Sequence, residues 1–234
     1  MRVLVTRPPD DARDTAALLA ARGHEAIVAP LLGVRYHDGH ALHLDDVRAL
    51  LFTSANGVRA LARRTSLRDF PVFAVGSQTA EAAREAGFRD VRNAGGNVET
   101  LADAVRGALE PKQQGVLLHA AGAEAEGRLA ALLSAAGYKV RTEVLYDVPV
   151  VAELPAAARD GLAAGAVDAV LLFSARSAQV FADSVKRAGL APACAGLVAA
   201  CISEAAAGPL AGLAFREIRI APRPNQAALL ECLD

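Results

Sequence analysis

Short apolar runs punctuate the chain and alternate with longer segments in which alanine and leucine recur at helical spacing. The runs are residues 3–5, 26–29, 50–52, 72–75, 91–93, 116–119, 140–146, 169–173, 197–202 and 218–221. Between them lie helical patterns over 10–21, 56–64, 79–86, 98–109, 126–135, 177–187 and 225–233. Unbroken apolar runs, rather than apolar–polar alternation, predict strands buried on both faces. With helices between them, they predict parallel sheets covered on two sides, an α/β protein. Gly23, Gly87, Gly137 and Gly189 stand where helices are expected to end.

The chain repeats itself. Residues 88–94 resemble 215–221, residues 51–55 match 171–175, Ala74-Val75-Gly76 falls opposite Cys201-Ile202-Ser203, and 17–24 match 131–138. The order is a short β-α-β piece, a long β-α-β-α-β piece, and then both again. Ten strands suit two five-stranded parallel sheets, built either in tandem or by inserting one domain in the other. Residues 32–36 and 145–151 are β-rich and lie where the chain of a nested protein would cross twice. Nesting is therefore expected: one domain from 1–33 plus 151–234, an inserted domain from 38–145, and linker strands at 34–37 and 146–150.

Composition narrows the function. The chain has 234 residues, 53% hydrophobic and 22% charged, enough for two cores. Its 25 basic and 26 acidic side chains leave a net charge of −1, so no global field recruits nucleic acid or an anionic membrane. Any anionic ligand must be held by a local site. No apolar stretch reaches spanning length, and the opening Met1-Arg2-Val3-Leu4-Val5-Thr6-Arg7-Pro8 is not a secretory h-region. Cys194, Cys201 and Cys232 include no Cys-x-x-Cys pair, so they are expected as reduced apolar fillers in a cytoplasmic protein.

In open parallel sheets, ligands bind beyond the carboxyl ends of strands, where helix N-termini present backbone N–H groups. The stretches just after the apolar runs are the candidates. Ser54, Ala55 and Asn56 follow one run and open a helix, with Ser174 and Ala175 as their counterparts in the other half. Ser54 or Asn56 caps the helix, touches ligand, or does both. Gly76 admits close backbone approach and Thr79 supplies a hydroxyl. Thr6 and Arg7 end the first run, where Thr6 either caps or binds and Arg7 either pairs with a carboxylate or binds. Such small donors suit a ligand with many carboxylates. Neither Gly-x-Gly-x-x-Gly, a Walker loop nor a Gly-x-Ser-x-Gly elbow occurs, which removes support from dinucleotide, nucleoside triphosphate and serine-hydrolase readings. His37, His40 and His43 are spaced three apart, but Gly39 weakens any helix that would align them, so a solvated loop is expected and no metal site.

These motifs, in this order, resemble the uroporphyrinogen-III synthase family over essentially the whole chain. The carriers are Val3-Leu4-Val5-Thr6-Arg7-Pro8, Gly23-His24-Glu25 with Pro30-Leu31-Leu32, Phe52-Thr53-Ser54-Ala55-Asn56-Gly57-Val58, Val75-Gly76-Ser77-Gln78-Thr79-Ala80, Gly137-Tyr138 leading to Val144-Leu145-Tyr146, and Phe173-Ser174. The resemblance implies two flavodoxin-like domains joined by a two-stranded linker, and a cyclising hydro-lyase that needs neither cofactor nor metal. Its implied substrate is hydroxymethylbilane, a polycarboxylate bound in a cleft between domains and handed on by hydroxymethylbilane synthase. The implied product is uroporphyrinogen III, formed with inversion of the last pyrrole; a monomer is expected, with no nucleic-acid or membrane partner. Tyr146 occupies the family's tyrosine position, where its phenol would assist departure of the hydroxyl group. Thr79 matches a family threonine, and Thr6, Arg7, Ser54, Ala55, Asn56, Gly76, Ser174, Ala175 and Ser203 become substrate-binding candidates. Two departures stand out: Ala206 where a second Gly-x-x-Thr site carries threonine, and Ala121 where relatives often carry arginine before the glycine. The competing reading on the same fold is a non-catalytic sensor of a tetrapyrrole or another polyanion.

Overall fold

The computed structural model describes residues 1–112 and 114–234. Along the chain run β1 (Arg2–Val5), α1 (Pro9–Ala21), β2 (Glu25–Val28), β3 (Arg35–Tyr36), β4 (Val47–Phe52), α2 (Ala55–Arg64), β5 (Val72–Ala74), α3 (Ser77–Glu85), β6 (Val91–Asn93), α4 (Val98–Ala108) and β7 (Val116–Gly122). They are followed by α5 (Arg128–Ala135), β8 (Val140–Asp147), α6 (Ala156–Ala163), β9 (Ala169–Leu172), α7 (Ala175–Arg187), β10 (Val198–Cys201), α8 (Glu204–Ala207), β11 (Glu217–Ile220) and α9 (Gln226–Glu231). Local chemistry sets many boundaries. Ser54, Asn97, Ser174 and Asn225 each accept a hydrogen bond from a backbone N–H in the first turn of the helix they precede. Gly23, Gly87, Gly137 and Gly189 adopt positive φ just beyond α1, α3, α5 and α7.

The chain forms two compact units, one from Met1–Gly33 with Pro149–Asp234 and one from Val34–Val148. The first holds a five-stranded parallel sheet in the order β11-β10-β9-β1-β2. The second holds a six-stranded sheet in the order β3-β8-β7-β4-β5-β6, parallel except for β3 against β8. Five strands were expected in this second sheet; a sixth arises because Arg35 and Tyr36, expected in a separate linker pair, pair with Asp147 and Tyr146 at its edge. A doubly hydrogen-bonded ion pair between Arg35 and Asp147 ties that edge. Leu32 and Val150 add an isolated antiparallel bridge within the first unit.

Both strand orders share one pattern. If β1 and β2 are a short piece and β9, β10 and β11 a long one, the first sheet reads second-short, first-short, then the long piece in sequence. With β7 and β8 as the short piece and β4, β5 and β6 as the long one, the second sheet reads the same way. The two sheets are circular permutations of one arrangement, which is the structural counterpart of the sequence repeat.

Each sheet is sealed on both faces. In the second unit, Leu50, Phe52 and Leu118 pack against Val58 and Leu61 of α2 and Ala83 of α3. On the other face Leu51, Phe73 and Leu117 meet Leu101 and Val105 of α4 and Leu129 and Leu133 of α5. In the first unit Val3, Val5, Leu171 and Ala200 pack against Leu19 of α1 and Leu229 of α9. Fully burying each of the valine, leucine and phenylalanine side chains among these stabilises the fold by roughly 1.5–3 kcal/mol. Cys194 and Cys201 are buried and Cys232 is half-buried, all as free thiols, with burial pushing the Cys201 thiol up to about 12. Among the described residues no helix is long and apolar enough to cross a membrane.

Close approach of α2 to β7 depends on one glycine. A Cβ at Gly57 would lie 2.5 Å from the Ala120 carbonyl oxygen, a backbone atom that cannot step aside. Gly57→Ala is expected to cost about 1–3 kcal/mol through overpacking. Gly107→Ala, in α4 with nothing within 4 Å of the new methyl, should instead stabilise by about 0.5–1 kcal/mol. Urea unfolding midpoints at constant m-value measure both; equal effects would mean that α2 can slide off β7 without penalty.

Candidate active site

All carboxyl ends of the parallel strands in a sheet share one rim. In the second unit that rim carries the residues following β4, β5 and β7, together with the end of β8. Ser54 Oγ accepts from the Asn56 backbone N–H at 3.1 Å, so the hydroxyl caps α2. That cap starts the helix at Ala55, ahead of the periodic apolar pattern. Ala55 and Asn56 are buried in its first turn, and Asn56 Oδ1 accepts from Arg59 at 3.1 Å. Gly76 precedes α3 in extended backbone with open space where a Cβ would point. Thr79 is buried in the first turn of the same helix.

Tyr146 sits near the end of β8 and is only 7% exposed. Its ring lies over Gly122, where a Cβ would come within 2.8 Å of Cζ and 3.1 Å of the phenolic oxygen. Any side chain at position 122 would therefore displace the phenol. Burial raises the Tyr146 pKa above the ordinary 10, opposed by the Ser54 side chain and assisted by the charge of Glu124. The phenol is a protonated donor throughout the neutral range. The structure thus brings Tyr146 together with Ser54, residues far apart in sequence.

Two further polar residues join this rim that sequence reasoning did not single out. β7 runs on to Gly122, beyond the expected end at His119, because Ala120, Ala121 and Gly122 pair with Glu143, Val144 and Tyr146. His119 is therefore inside the strand, 3% exposed, and its Nε2 lies 3.1 Å from Thr53 Oγ1. Burial lowers its pKa from 6.5 to about 4, so the imidazole is neutral at pH 7. The signal was present in the sequence: His119 is the one polar residue in Val116-Leu117-Leu118-His119-Ala120-Ala121.

In the first unit, the rim holds the ends of β1, β9 and β10. Thr6 Oγ1 donates to the Leu171 carbonyl at 2.9 Å, linking β1 to β9. Arg7 is 9% exposed; its guanidinium donates to Gln226 Oε1 at 2.6 Å and to Asp11 Oδ2 at 3.1 Å, and it lies 4.2 Å from the centroid of the Phe173 ring. Both polar groups are thus engaged within their own unit. Ser174 caps α7 in a reciprocal box with Ser177, with Ala175 exposed beside it. Ser203 precedes α8 without a side-chain cap. Ala206 and Ala121, the two departures from the family pattern, are both fully buried.

Among the described residues no group of three or more His, Cys, Asp or Glu side chains is placed to hold a metal ion. His37 and His43 instead lie 3.7 and 3.9 Å from carboxylate oxygens of Asp147 and Asp46.

His119 makes stability depend on pH. The unfolded chain protonates this residue below 6.5, whereas the folded chain resists to about 4. Its contribution is therefore fully present above pH 6.5 and is lost as pH falls through that window. Unfolding free energies at pH 7 and pH 4.5 should fall by about 2–3 kcal/mol more in the native protein than in His119→Leu. Parallel pH dependence in the two proteins would show that His119 titrates as an exposed histidine.

Comparison with known proteins fits this arrangement. The family described as uroporphyrinogen-III synthase HemD matches residues 13–231. A Methanocaldococcus jannaschii protein named "Putative uroporphyrinogen-III synthase" is 30% identical over 96 residues, covering 38% of this chain and 40% of that protein's length. The uroporphyrinogen-III synthetase of Helicobacter pylori shares the fold with TM-score 0.65 and 17% identity, over 99% of this chain and 97% of that one. A mutant uroporphyrinogen III synthase of Thermus thermophilus shares it with TM-score 0.53 and 18% identity, over 100% and 97%. With the match extending across both units, the chain belongs to the uroporphyrinogen-III synthase family.

Proposed function

We propose that this protein is a uroporphyrinogen-III synthase, a cyclising hydro-lyase that converts hydroxymethylbilane to uroporphyrinogen III without a cofactor. The observation that carries the reading is the Tyr146 phenol, buried, protonated and seated over Gly122 on the rim of the second sheet. Family membership supports it. Each unit is read as a flavodoxin-like domain, residues 38–145 being an insertion between 1–33 and 151–234, with linker strands at 34–37 and 146–150. The strand order of the first sheet supports this, since second-first-third-fourth-fifth is the flavodoxin order; the second sheet has that order after circular permutation, with β3 added at its edge.

In this reading the terminal hydroxyl of the linear tetrapyrrole leaves as water: its C–O bond breaks, and the proton taken up at the oxygen is balanced by the N–H proton that its pyrrole releases on becoming an azafulvene. That N–H is restored at closure by the proton displaced from the ring carbon. The Tyr146 hydroxyl supplies a hydrogen bond at the departing oxygen. The azafulvene left behind is attacked by the substituted carbon of the last pyrrole. The resulting spiro intermediate breaks and recloses with that ring inverted. One water is lost and no electrons are gained or lost overall. A phenol held above its usual pKa is a donor and a poor base, which suits leaving-group assistance. Substrate carboxylates take donors from Ser54, Thr79 and the amides that open α2 and α3 beside Ala55, Asn56 and Gly76. In the first unit Ser174, Ala175 and Ser203 do the same at the starts of α7 and α8. Thr6 and Arg7 hold the end of β1 in place for these contacts. The remaining work is to keep the chain folded in the reactive shape and prevent head-to-tail closure. The protein is read as a cytoplasmic monomer that receives its substrate from hydroxymethylbilane synthase.

The test adds hydroxymethylbilane to the purified protein, oxidises the cyclised product and separates the isomers against a no-enzyme control. Isomer III should dominate. Tyr146→Phe should slow its formation by roughly 10²-fold, and Thr79→Ala should slow it less. Isomer I alone, at the control rate, would sink the enzymatic reading in favour of a tetrapyrrole- or polyanion-binding protein.

A further inference from the structure

In the second sheet, the strand connections reverse between β4 and β7: from β4 the chain continues to β5 on one side, and from β7 to β8 on the other. Ligands of open parallel sheets bind outside the carboxyl ends of the strands that flank such a reversal. Thr53 is the first residue beyond β4 and His119 belongs to β7. Leu51 pairs with His119 in register, so Thr53, two residues further on, reaches the same imidazole diagonally. The contact is 3.1 Å between Oγ1 and Nε2.

The two partners differ in exposure. His119 is buried among apolar strand residues, while Thr53 is half-buried and directly precedes Ser54, the cap of α2. The Thr53 hydroxyl therefore stands at the edge of a closed interior, beyond the carboxyl end of β4 and on the strand face of Leu51 and His119, where ligands of such sheets bind. A hydroxyl has one proton to donate, and a neutral imidazole has one N–H and one lone pair. If Nε2 accepts, the Thr53 proton is consumed and the hydroxyl turns only lone pairs outward, which repel a carboxylate. If Nε2–H donates, the Thr53 proton is free to point outward. Burial keeps the ring neutral, since its pKa lies near 4, so it orients the hydroxyl without adding charge.

We propose that His119 donates its Nε2–H to Thr53 Oγ1 and thereby aims the Thr53 hydroxyl proton at a carboxylate of the bound ligand, which makes His119 a positioning residue for substrate recognition. The identity of that carboxylate ligand rests on the functional reading above. The choice of tautomer follows from that carboxylate, while the His119–Thr53 contact itself is given by the geometry. Losing one such hydrogen bond weakens ground state and transition state alike, so it appears in KM and leaves kcat and the isomer ratio intact.

The isomer assay with hydroxymethylbilane, run on four variants, provides the kinetic arm. Thr53→Val and His119→Leu should each raise KM roughly fivefold to tenfold, with kcat kept. The double variant should be no worse than either single one, because both remove the same interaction. His119→Gln, whose amide can present an N–H near the Nε2 position, should restore KM. Long-range ¹⁵N–¹H spectra of the ¹⁵N-histidine-labelled native protein provide the second arm, in which the His119 Nε2 should carry the proton. A proton on Nδ1, unchanged KM in Thr53→Val, or additive effects in the double variant would overturn the assignment. If His119→Leu fails to fold, Thr53→Val and the tautomer decide. Native protein yielding only isomer I would fail the functional reading instead, and the spectrum would still decide the His119–Thr53 bond.

Discussion

The central strand pairs, β1 with β9 in one unit and β4 with β7 in the other, bury both faces of a hydrogen-bonded backbone between layers of helices. Parallel strands can be joined only by crossovers, so every connection must travel over a face and return. This leaves the polar backbone of the turns at the two ends of each sheet. At the carboxyl end, the same geometry points helix N-termini outward. Thr6, Ser54, Gly76, Ser174 and Ser203 share that rim position because each follows a parallel strand.

Permutation of one arrangement in two sheets explains why the repeat is visible but staggered. Each unit needs one short and one long piece, and the chain supplies them in the order short, long, short, long. Both pieces of the second unit therefore lie between the two pieces of the first. The chain passes between units twice, at Gly33–Val34 and Val148–Pro149. The pairing of β3 with β8 covers what would otherwise be a bare edge of the second sheet.

The rim chemistry is built largely from neutral donors. The Tyr146 phenol is held protonated, His119 is held neutral, and the Arg7 guanidinium is matched by Asp11, Gln226 and the face of Phe173. Burial accounts for the first two, since a low-dielectric surround disfavours the charged form of either group. Hydroxyls and helix amides can hold carboxylates without the desolvation cost that a fixed, unpaired cation would carry.

The amino-acid sequence by itself determined the elements. Unbroken apolar runs such as Leu50–Phe52 require burial on two faces, and capping serines and asparagines act within a few residues. These signals are local, so the parallel α/β character, most helix starts and the staggered repeat could be read in chain order, while the short helices α6 and α8 were not. The rim candidates were legible for the same reason, because they follow the runs directly. Tertiary structure decided what no local signal encodes: which strand lies beside which, and what each side chain faces. Arg35 and Tyr36 form a sixth strand only because Tyr146 and Asp147 offer a free edge. Tyr146 seats its ring only because Gly122, on a neighbouring strand, has no side chain. His119 reads in sequence as the end of a strand. It became a buried partner of Thr53 once the pairing of β7 with β8 carried the strand on to Gly122, since register between distant strands fixes which side chains share a face.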